Sequence, residues 1–276
     1  MNQELTIAFI GGGNMATALG AGLIGKRCGA HDVHVVDPDP AVRKAWQDKG
    51  CSVAGQADET LSRHHVWVLA VKPQLMKEAV VAIRPHIQPD TLVVSVAAGL
   101  PASTLAQWLG TPEQPHPRVV RAMPNTPALI SAGATGLLAS GGVDQNEKAK
   151  AELLFKAVGE VVWVDSDQTV DIVTSLSGSG PAYVFLFLES LIAGAVEQGM
   201  DPDQAKRLAL ATVSGATQLA ALSPDDLAIL RERVTSKGGT TAAALEVLNH
   251  RDFSGTVKAA MRAASQRAAE LSRDFS

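Results

Sequence analysis

The sequence predicts an α/β chain in which an N-terminal domain built on a parallel sheet is followed by an all-helical domain. Three observations carry this. β-branched runs alternate with helical stretches over roughly the first 165 residues. From about residue 167 onward helix signals continue without a convincing strand. The first strand also runs straight into three glycines that open a helix. A chain of 276 residues holds two such domains, expected over 1–165 and 166–276.

The elements follow in order. Residues 5–10 (LTIAFI) form a short strand, and residues 14–26 a helix. A second strand covers 33–37, and a helix runs from Asp39, a start cap, to about residue 49. Residues 66–71 lack polar alternation, as a parallel strand covered on both faces should. Helix 73–87 begins with Pro73 in its first turn. Strand 91–98, helix 101–109 and strand 119–123 follow, and strands at 136–139 and 161–164 flank a helix over 145–158. In the second half, residues 181–198 are apolar almost all round until Glu189, so this helix should be buried on most sides. Gly199 stops it. Asp201-Pro202 and Ser223-Pro224-Asp225-Asp226 are helix starts, and a last helix spans 253–271. A helix too apolar for its own surface suggests packing between subunits.

Composition excludes several classes. Hydrophobic residues at 46% and charged residues at 19% specify a folded globular protein. A net charge of -4 offers no basic face for a nucleic acid. Cys28 and Cys51 form no motif, which fits a reducing compartment and hence the cytoplasm. The start lacks the basic and apolar regions of a leader, so none is expected. The longest apolar run, 182–188, is cut by Glu189, so no membrane span is expected. The seven histidines show no ligand spacing, so no metal is expected.

Gly11, Gly12, Gly13, Asn14, Met15 and Ala16 read G-x-G-x-x-A after the strand that ends at Ile10. This is the dinucleotide fingerprint of a Rossmann-like domain. Gly11 permits the tight turn. Gly13 lets the backbone approach a pyrophosphate, and Ala16 lets the helix sit close to the strand. The helix start near Asn14 presents free N–H groups to the phosphates. Asp37 ends the second strand, where a carboxylate accepts from both ribose hydroxyls of NADH and repels the 2′-phosphate of NADPH. Arg43 and Lys44 could reach a phosphate, but they read first as a solvated helix face. Ala70, Val71, Lys72 and Pro73 end another parallel strand, where ligands of such sheets bind. Ser95, Val96, Ala97, Ala98 and Gly99 end the next with small residues that leave room for a flat ring.

Together with RAMPNTP at 121–127, SGSGPAY at 177–183 and SKGGTT at 236–241, these segments resemble the pyrroline-5-carboxylate reductases over essentially the whole chain. SKGGTT is the most family-specific of them. The resemblance implies reduction of the C=N bond of 1-pyrroline-5-carboxylate by NADPH or NADH, the last step of proline biosynthesis. It implies a Rossmann domain followed by a helical dimerisation domain, with substrate held at a subunit interface of a homodimer and a ring of dimers as the larger assembly left open. It also places cofactor contacts at Ile10, Gly11, Gly12, Gly13, Asn14, Met15, Ala70, Val71, Lys72, Pro73, Val96, Ala97 and Ala98. Substrate contacts fall on Ser236, Gly239, Thr240 and Thr241.

Residue chemistry agrees with this. Small residues opening the helical run 242–248 expose N–H groups and hydroxyls that suit a carboxylate. Thr241 can set its hydroxyl against the imine nitrogen, which makes it the catalytic candidate. No compelling general acid stands out. Tyr183 and Glu197 are possible donors that read better as helix structure, and Lys237 reads as solvated. The chain departs from many family members at Asp37-Pro38-Asp39-Pro40, which weakens a strict NADPH preference. The alternatives are a related imine or β-hydroxyacid reductase and a non-catalytic dinucleotide sensor, which would need no substrate loop.

Overall fold

The computed structural model describes residues 5–274; the first four, part of the start where no leader is expected, lie outside it. Packing groups the chain into two compact units. One runs up to Ser179 and takes in the residues from Ala263 onward; the other is Gly180–Arg262.

In the first unit eight strands form one sheet: β1 Ile7–Ile10, β2 Val33–Val36, β3 Ser52–Ala54, β4 Val66–Leu69, β5 Leu92–Ser95, β6 Val119–Met123, β7 Gly133–Ala139 and β8 Gly159–Trp163. Their order is β3-β2-β1-β4-β5-β6-β7-β8. Neighbours are parallel except β6 and β7, which run antiparallel. Around them lie α1 Asn14–Leu23, α2 Pro40–Gln47, α3 Pro73–Ile83, α4 Ala102–Leu109, α5 Gln145–Lys156 and α6 Asp167–Val173.

The missing alternation in the strands now has its cause. Phe9, Val35, Val68 and Val94 pack into one apolar cluster with Leu19 and Leu23 of α1 and Leu154 and Phe155 of α5. Ala8, Ile10, Trp67, Leu69 and Val93 pack into another with Met76 and Val80 of α3 and Leu105 of α4. Each buried Val, Leu or Ile contributes about 1.5–3 kcal/mol, so strands apolar on both faces are held from both sides. The sequence reading missed β3, which is only three residues long and half-exposed at the sheet edge. It also lengthened β4 and β5, whose apolar flanks 70–71 and 96–98 are loops.

The second unit is helical: α7 Gly180–Glu197, α8 Pro202–Leu222, α9 Leu227–Arg233 and α10 Thr240–His250, with α11 Phe253–Asp274 beginning here and ending in the first unit. Asp201 caps α8 by accepting from the N–H groups of Asp203 and Gln204. Two expectations for α7 need correcting. No residue of α7 is buried in the single chain, and Phe185 and Leu186 are 58% and 64% exposed. Moreover, α6 and α7 join through a π-helical turn, Thr174–Gly178, into one 31-residue helical run, Asp167–Glu197, long and apolar enough to cross a membrane. From the sequence alone the apolar run, 182–188, ends at Glu189. Thr174 and Ser177 donate their hydroxyls back to the carbonyls of Val170 and Val173, the local competition with the helix ladder expected where the α-helix gives way to a π turn.

Candidate cofactor and substrate sites

The strand order reverses around β1, so a crevice opens at the carboxyl ends of β1, β2 and β4. Three glycines lie there for three different reasons. Gly11 has φ +91°, and a β-carbon on it would stand 2.7 Å from the Ala70 carbonyl oxygen. Its N–H donates to the Val36 carbonyl at 2.8 Å. A β-carbon on Gly12 would lie 2.6 Å from Val42 Cγ1, and the Gly12 carbonyl accepts from the Trp46 indole at 2.9 Å. Gly13 has nothing within 4 Å of such a carbon. It is exposed, so no packing within the chain demands a glycine there. Gly13 is also the N-cap of α1, with no side chain capping the helix and no acid in its first turn, where Asn14 and Met15 stand. The free N–H groups and dipole of that end favour an anion. An open cradle that a β-carbon would fill fits a pyrophosphate.

Asp37 follows β2 at the same crevice. Its Oδ2 accepts from the Gly12 N–H at 2.8 Å and its Oδ1 from the Asp39 N–H at 2.9 Å, which fixes a half-exposed carboxylate with acceptor capacity to spare. Asp39 caps α2 by accepting from the Ala41 N–H, as expected of it. Lys44 is paired with Asp48 one turn along its own helix. Arg43 donates from Nη1 to the carbonyls of Asp37 and Pro38 at 2.7 and 2.8 Å, so it braces the turn that carries Asp37.

Beyond this turn lies a mostly apolar cavity of about 340 Å³, walled by Ile10, Val36 and Pro38, by Gly55, Gln56 and Ala57, and by Val71, Leu75 and Ala79. The sequence reading missed residues 55–57 because it missed β3, which delivers them. Ala70 and Val71 extend β4, with the Ala70 N–H donating to the Ile10 carbonyl at 2.7 Å. Lys72 is the exposed N-cap of α3 and Pro73 its first residue. Val96 donates its N–H to the Leu69 carbonyl, and Ala97 donates its own to Ser95 Oγ. With Ala98 these residues lead into Gly99, at φ +72°. The fold thus gathers the residues from Ile10 to Met15, Asp37, Ala70–Pro73 as four consecutive positions, and Val96, Ala97 and Ala98 along one end of the sheet.

Ser236, Gly239, Thr240 and Thr241 lie in the helical unit. Gly238 turns with φ +74°, and the Gly239 N–H donates to the Ser236 carbonyl at 3.0 Å. Gly239 is the N-cap of α10, which no side chain caps, leaving its first N–H groups free beside the exposed Ser236 and Thr240 and the half-exposed Thr241. Lys237 and Glu197 are exposed, and the Tyr183 hydroxyl is buried with no bonding partner among the described residues.

Residues of the two remaining motifs tie elements of the first unit together. Arg121, on β6, is 1% exposed and pairs with Asp167 at 2.5 Å and Asp171 at 3.4 Å on α6. Burial raises the Asp171 carboxyl above its ordinary range, against the pull of Arg121. Asn125 donates to the Ser177 carbonyl in the π turn and accepts from the Ala134 N–H. Sequence reading quoted both motifs without seeing this bracing role.

Comparison with known proteins places these features. A family model described as pyrroline-5-carboxylate reductase dimerisation matches residues 167–271, and one described as NADP oxidoreductase, coenzyme F420-dependent, matches residues 6–99. The pyrroline-5-carboxylate reductase of Pseudomonas aeruginosa is 43% identical over 98% of this chain and 97% of its own. That of Pasteurella multocida is 38% identical over 99% of this chain and all of its own. A solved pyrroline-5-carboxylate reductase from Coxiella burnetii superposes with a TM-score of 0.91 at 36% identity, covering 98% of this chain and 99% of the other. The Plasmodium falciparum enzyme, solved with NADP bound, gives 0.84 at 28% identity, covering 97% and 98%. The chain belongs to the pyrroline-5-carboxylate reductase family.

Proposed function

We propose that this chain reduces 1-pyrroline-5-carboxylate to L-proline with NADH or NADPH, the last step of proline biosynthesis. The observation that carries this is full-length likeness to reductases of that name in a chain that keeps both an open dinucleotide cradle at Gly13 and an uncapped helix start at Thr240. In this reading residues 1–165 bind the dinucleotide and residues 166–276 bind substrate and dimerise. When bound, the dinucleotide supplies hydride to the imine carbon.

The chain's own residues bind and orient. The N–H groups of α1 take the pyrophosphate, the cavity beside Val71 and Leu75 takes an apolar ring face, and Asp37 takes the adenosine ribose. Ser236 and the free N–H groups at the start of α10 hold the substrate carboxylate, where a helix end contributes about 0.3–1 kcal/mol toward an anion. Thr241 sets its hydroxyl against the ring nitrogen, whose electron density rises as the C=N bond is reduced. A pyrrolinium nitrogen already carries its proton, so orientation and charge stabilisation suffice without a general acid.

The exposed apolar residues of α7 are covered by a second copy, giving a homodimer; a ring of dimers would sediment as a discrete heavier species. The 31-residue helical run lies inside the matched dimerisation segment, so it is assigned to helix packing and not to a bilayer. Two unpaired cysteines suit the cytoplasm. The activity is tested by loss of dihydronicotinamide absorbance when 1-pyrroline-5-carboxylate is added; no substrate-dependent oxidation with either cofactor would refute it.

Cofactor choice follows from Asp37. NADH should serve at least as well as NADPH, and Asp37→Ser should shift the ratio of the two kcat/KM values toward NADPH by about tenfold. A native enzyme that rejects NADH would shift this role to Arg43.

A further inference from the structure

We propose that the last turns of α11, with Leu271 at their centre, are a positioning element that holds the cofactor loop 96–99 in its binding geometry. The proposal rests on the reading of residues 96–98 as cofactor contacts. Gly99 has φ +72°, and a β-carbon on it would stand 2.9 Å from Leu271 Cβ and within 3.7 Å of the backbone of Leu271 and Ser272. A helix can approach a loop backbone this closely only where the loop carries no side chain. On its other side the loop is tied to the sheet, through Val96 to the Leu69 carbonyl and through Ala97 to Ser95 Oγ. It is therefore held between the sheet and α11.

The helix itself is anchored less than one turn earlier by Ala268, which is 4% exposed. Its end also reaches the second cofactor segment. Asp274 shares a groove of about 380 Å³ with Pro73, Gln74 and Lys77 at the start of α3. Neither Gly99 nor Leu271 need touch the reacting atoms. Their contact keeps the loop ordered before the dinucleotide arrives, so binding does not have to order it.

The test compares Gly99→Ala, whose β-carbon would drive into Leu271 Cβ, with Gly25→Ala, a glycine at φ +78° with nothing within 4 Å of such a carbon, by titrating NADH and NADPH fluorescence and by steady-state kinetics. Gly99→Ala should raise the cofactor Kd roughly five- to tenfold, Gly25→Ala should leave it unchanged, and Leu271→Gly, which removes the opposing carbon, should recover part of the affinity when combined with Gly99→Ala. The KM for the imine, and kcat at saturating cofactor, should stay within about twofold. Unchanged cofactor Kd in a folded Gly99→Ala chain overturns the proposal. So does a rise in Kd that Leu271→Gly does not relieve, that only tracks a fall in Tm, or that moves the imine KM equally. Ala98→Phe tests the underlying reading separately. Intact affinity in that variant removes the loop from the cofactor site, whereas lost affinity there with normal affinity in Gly99→Ala overturns only the role of α11.

Discussion

The sheet unit satisfies itself and the helical unit does not. In the first, strands apolar on both faces are covered by helices of the same chain, and residues such as Phe9, Trp67, Leu69 and Phe155 are essentially inaccessible. In the second, α7, α9 and α10 have no buried residue and α8 buries only Ala205 and Ala209. Both units have the apolar content of a core, but only one finds its complement within the chain. A helix hydrophobic all round must be covered by something, and the match of residues 167–271 to a dimerisation domain says which surface is missing. The lesson is that the same hydrophobic pattern predicts burial in both units, but not by what.

The sharpest way to break the comparison is to charge the exposed helix. Phe185→Glu with Leu186→Glu should dissociate the dimer and abolish activity, read by sedimentation and by rate, because unpaired charges would be buried in the interface. The sheet unit should keep its tertiary fold, seen in the near-ultraviolet signal of its four tryptophans, Trp46, Trp67, Trp108 and Trp163. A doubly charged chain that stays dimeric and active would place the interface elsewhere.

The glycine loop sharpens the contrast within the sheet unit. Gly13→Val should abolish NAD(P)H binding and leave Tm within a few degrees, since its β-carbon meets no atom of the chain. Gly12→Val should instead destabilise the fold by about 1–3 kcal/mol or more, because it drives into Val42 and Trp46. Equal effects of the two on stability would remove the ligand-based reason for Gly13.

How much of this was legible from sequence depended on where each constraint lies. The positions of β1, β2, β4 and β5 followed from apolar runs closed by glycine or a polar turn. The ends of β2, β4 and β5 were overrun where the site begins, since the apolar run continues into Val71 and Val96, and Asp37 and Val96 still donate their N–H groups to the carbonyls of Ala54 and Leu69 on the neighbouring strands. The reversed direction of β7 left no mark, because hydrophobic period is the same for both directions. Asn125 and Arg121 read as anonymous polar residues, because their partners Ser177, Asp167 and Asp171 are distant in sequence. In the helical unit Ser236, Gly239, Thr240 and Thr241 came from resemblance more than from pattern, as a glycine loop before a helix is also an ordinary start.

That ambiguity is testable in the substrate loop. Thr241→Ala should lower kcat ten- to a hundredfold, for a lost hydrogen bond of about 1–3 kcal/mol that strengthens in the transition state, with NAD(P)H affinity unchanged. Ser236→Ala should raise KM for the imine more than it lowers kcat, because the carboxylate it holds is present in ground and transition states alike. Native kcat and KM in Thr241→Ala would leave the loop as a helix start and nothing more.

The smallest expected effect separates the units by pH. His34 and His64, both in the sheet unit, are 1% and 8% exposed, with their rings stacked at 5.6 Å. His34 Nδ1 bonds Ser52 Oγ, and its Nε2 has no partner among the described residues; His64 donates from Nδ1 to the Thr60 carbonyl. Burial pushes both below the ordinary value of 6.5. The neighbouring imidazole adds to this for His34, with Asp58 opposing, while His65 and Arg63 add to it for His64 against the Thr60 carbonyl and Asp32. A histidine with a lowered folded pKa binds fewer protons folded than unfolded, so its contribution to stability is complete above 6.5 and is lost as pH falls below it. Denaturant unfolding of the sheet unit should therefore be level from neutral to mildly basic pH. Below 6.5 it should fall, with a slope of up to about 1.4 kcal/mol per pH unit for each ring. Replacing His34 by Gln should remove one ring's share of that slope while keeping a polar partner for Ser52. A slope identical in the native and His34→Gln chains would show that the acid sensitivity arises from other groups.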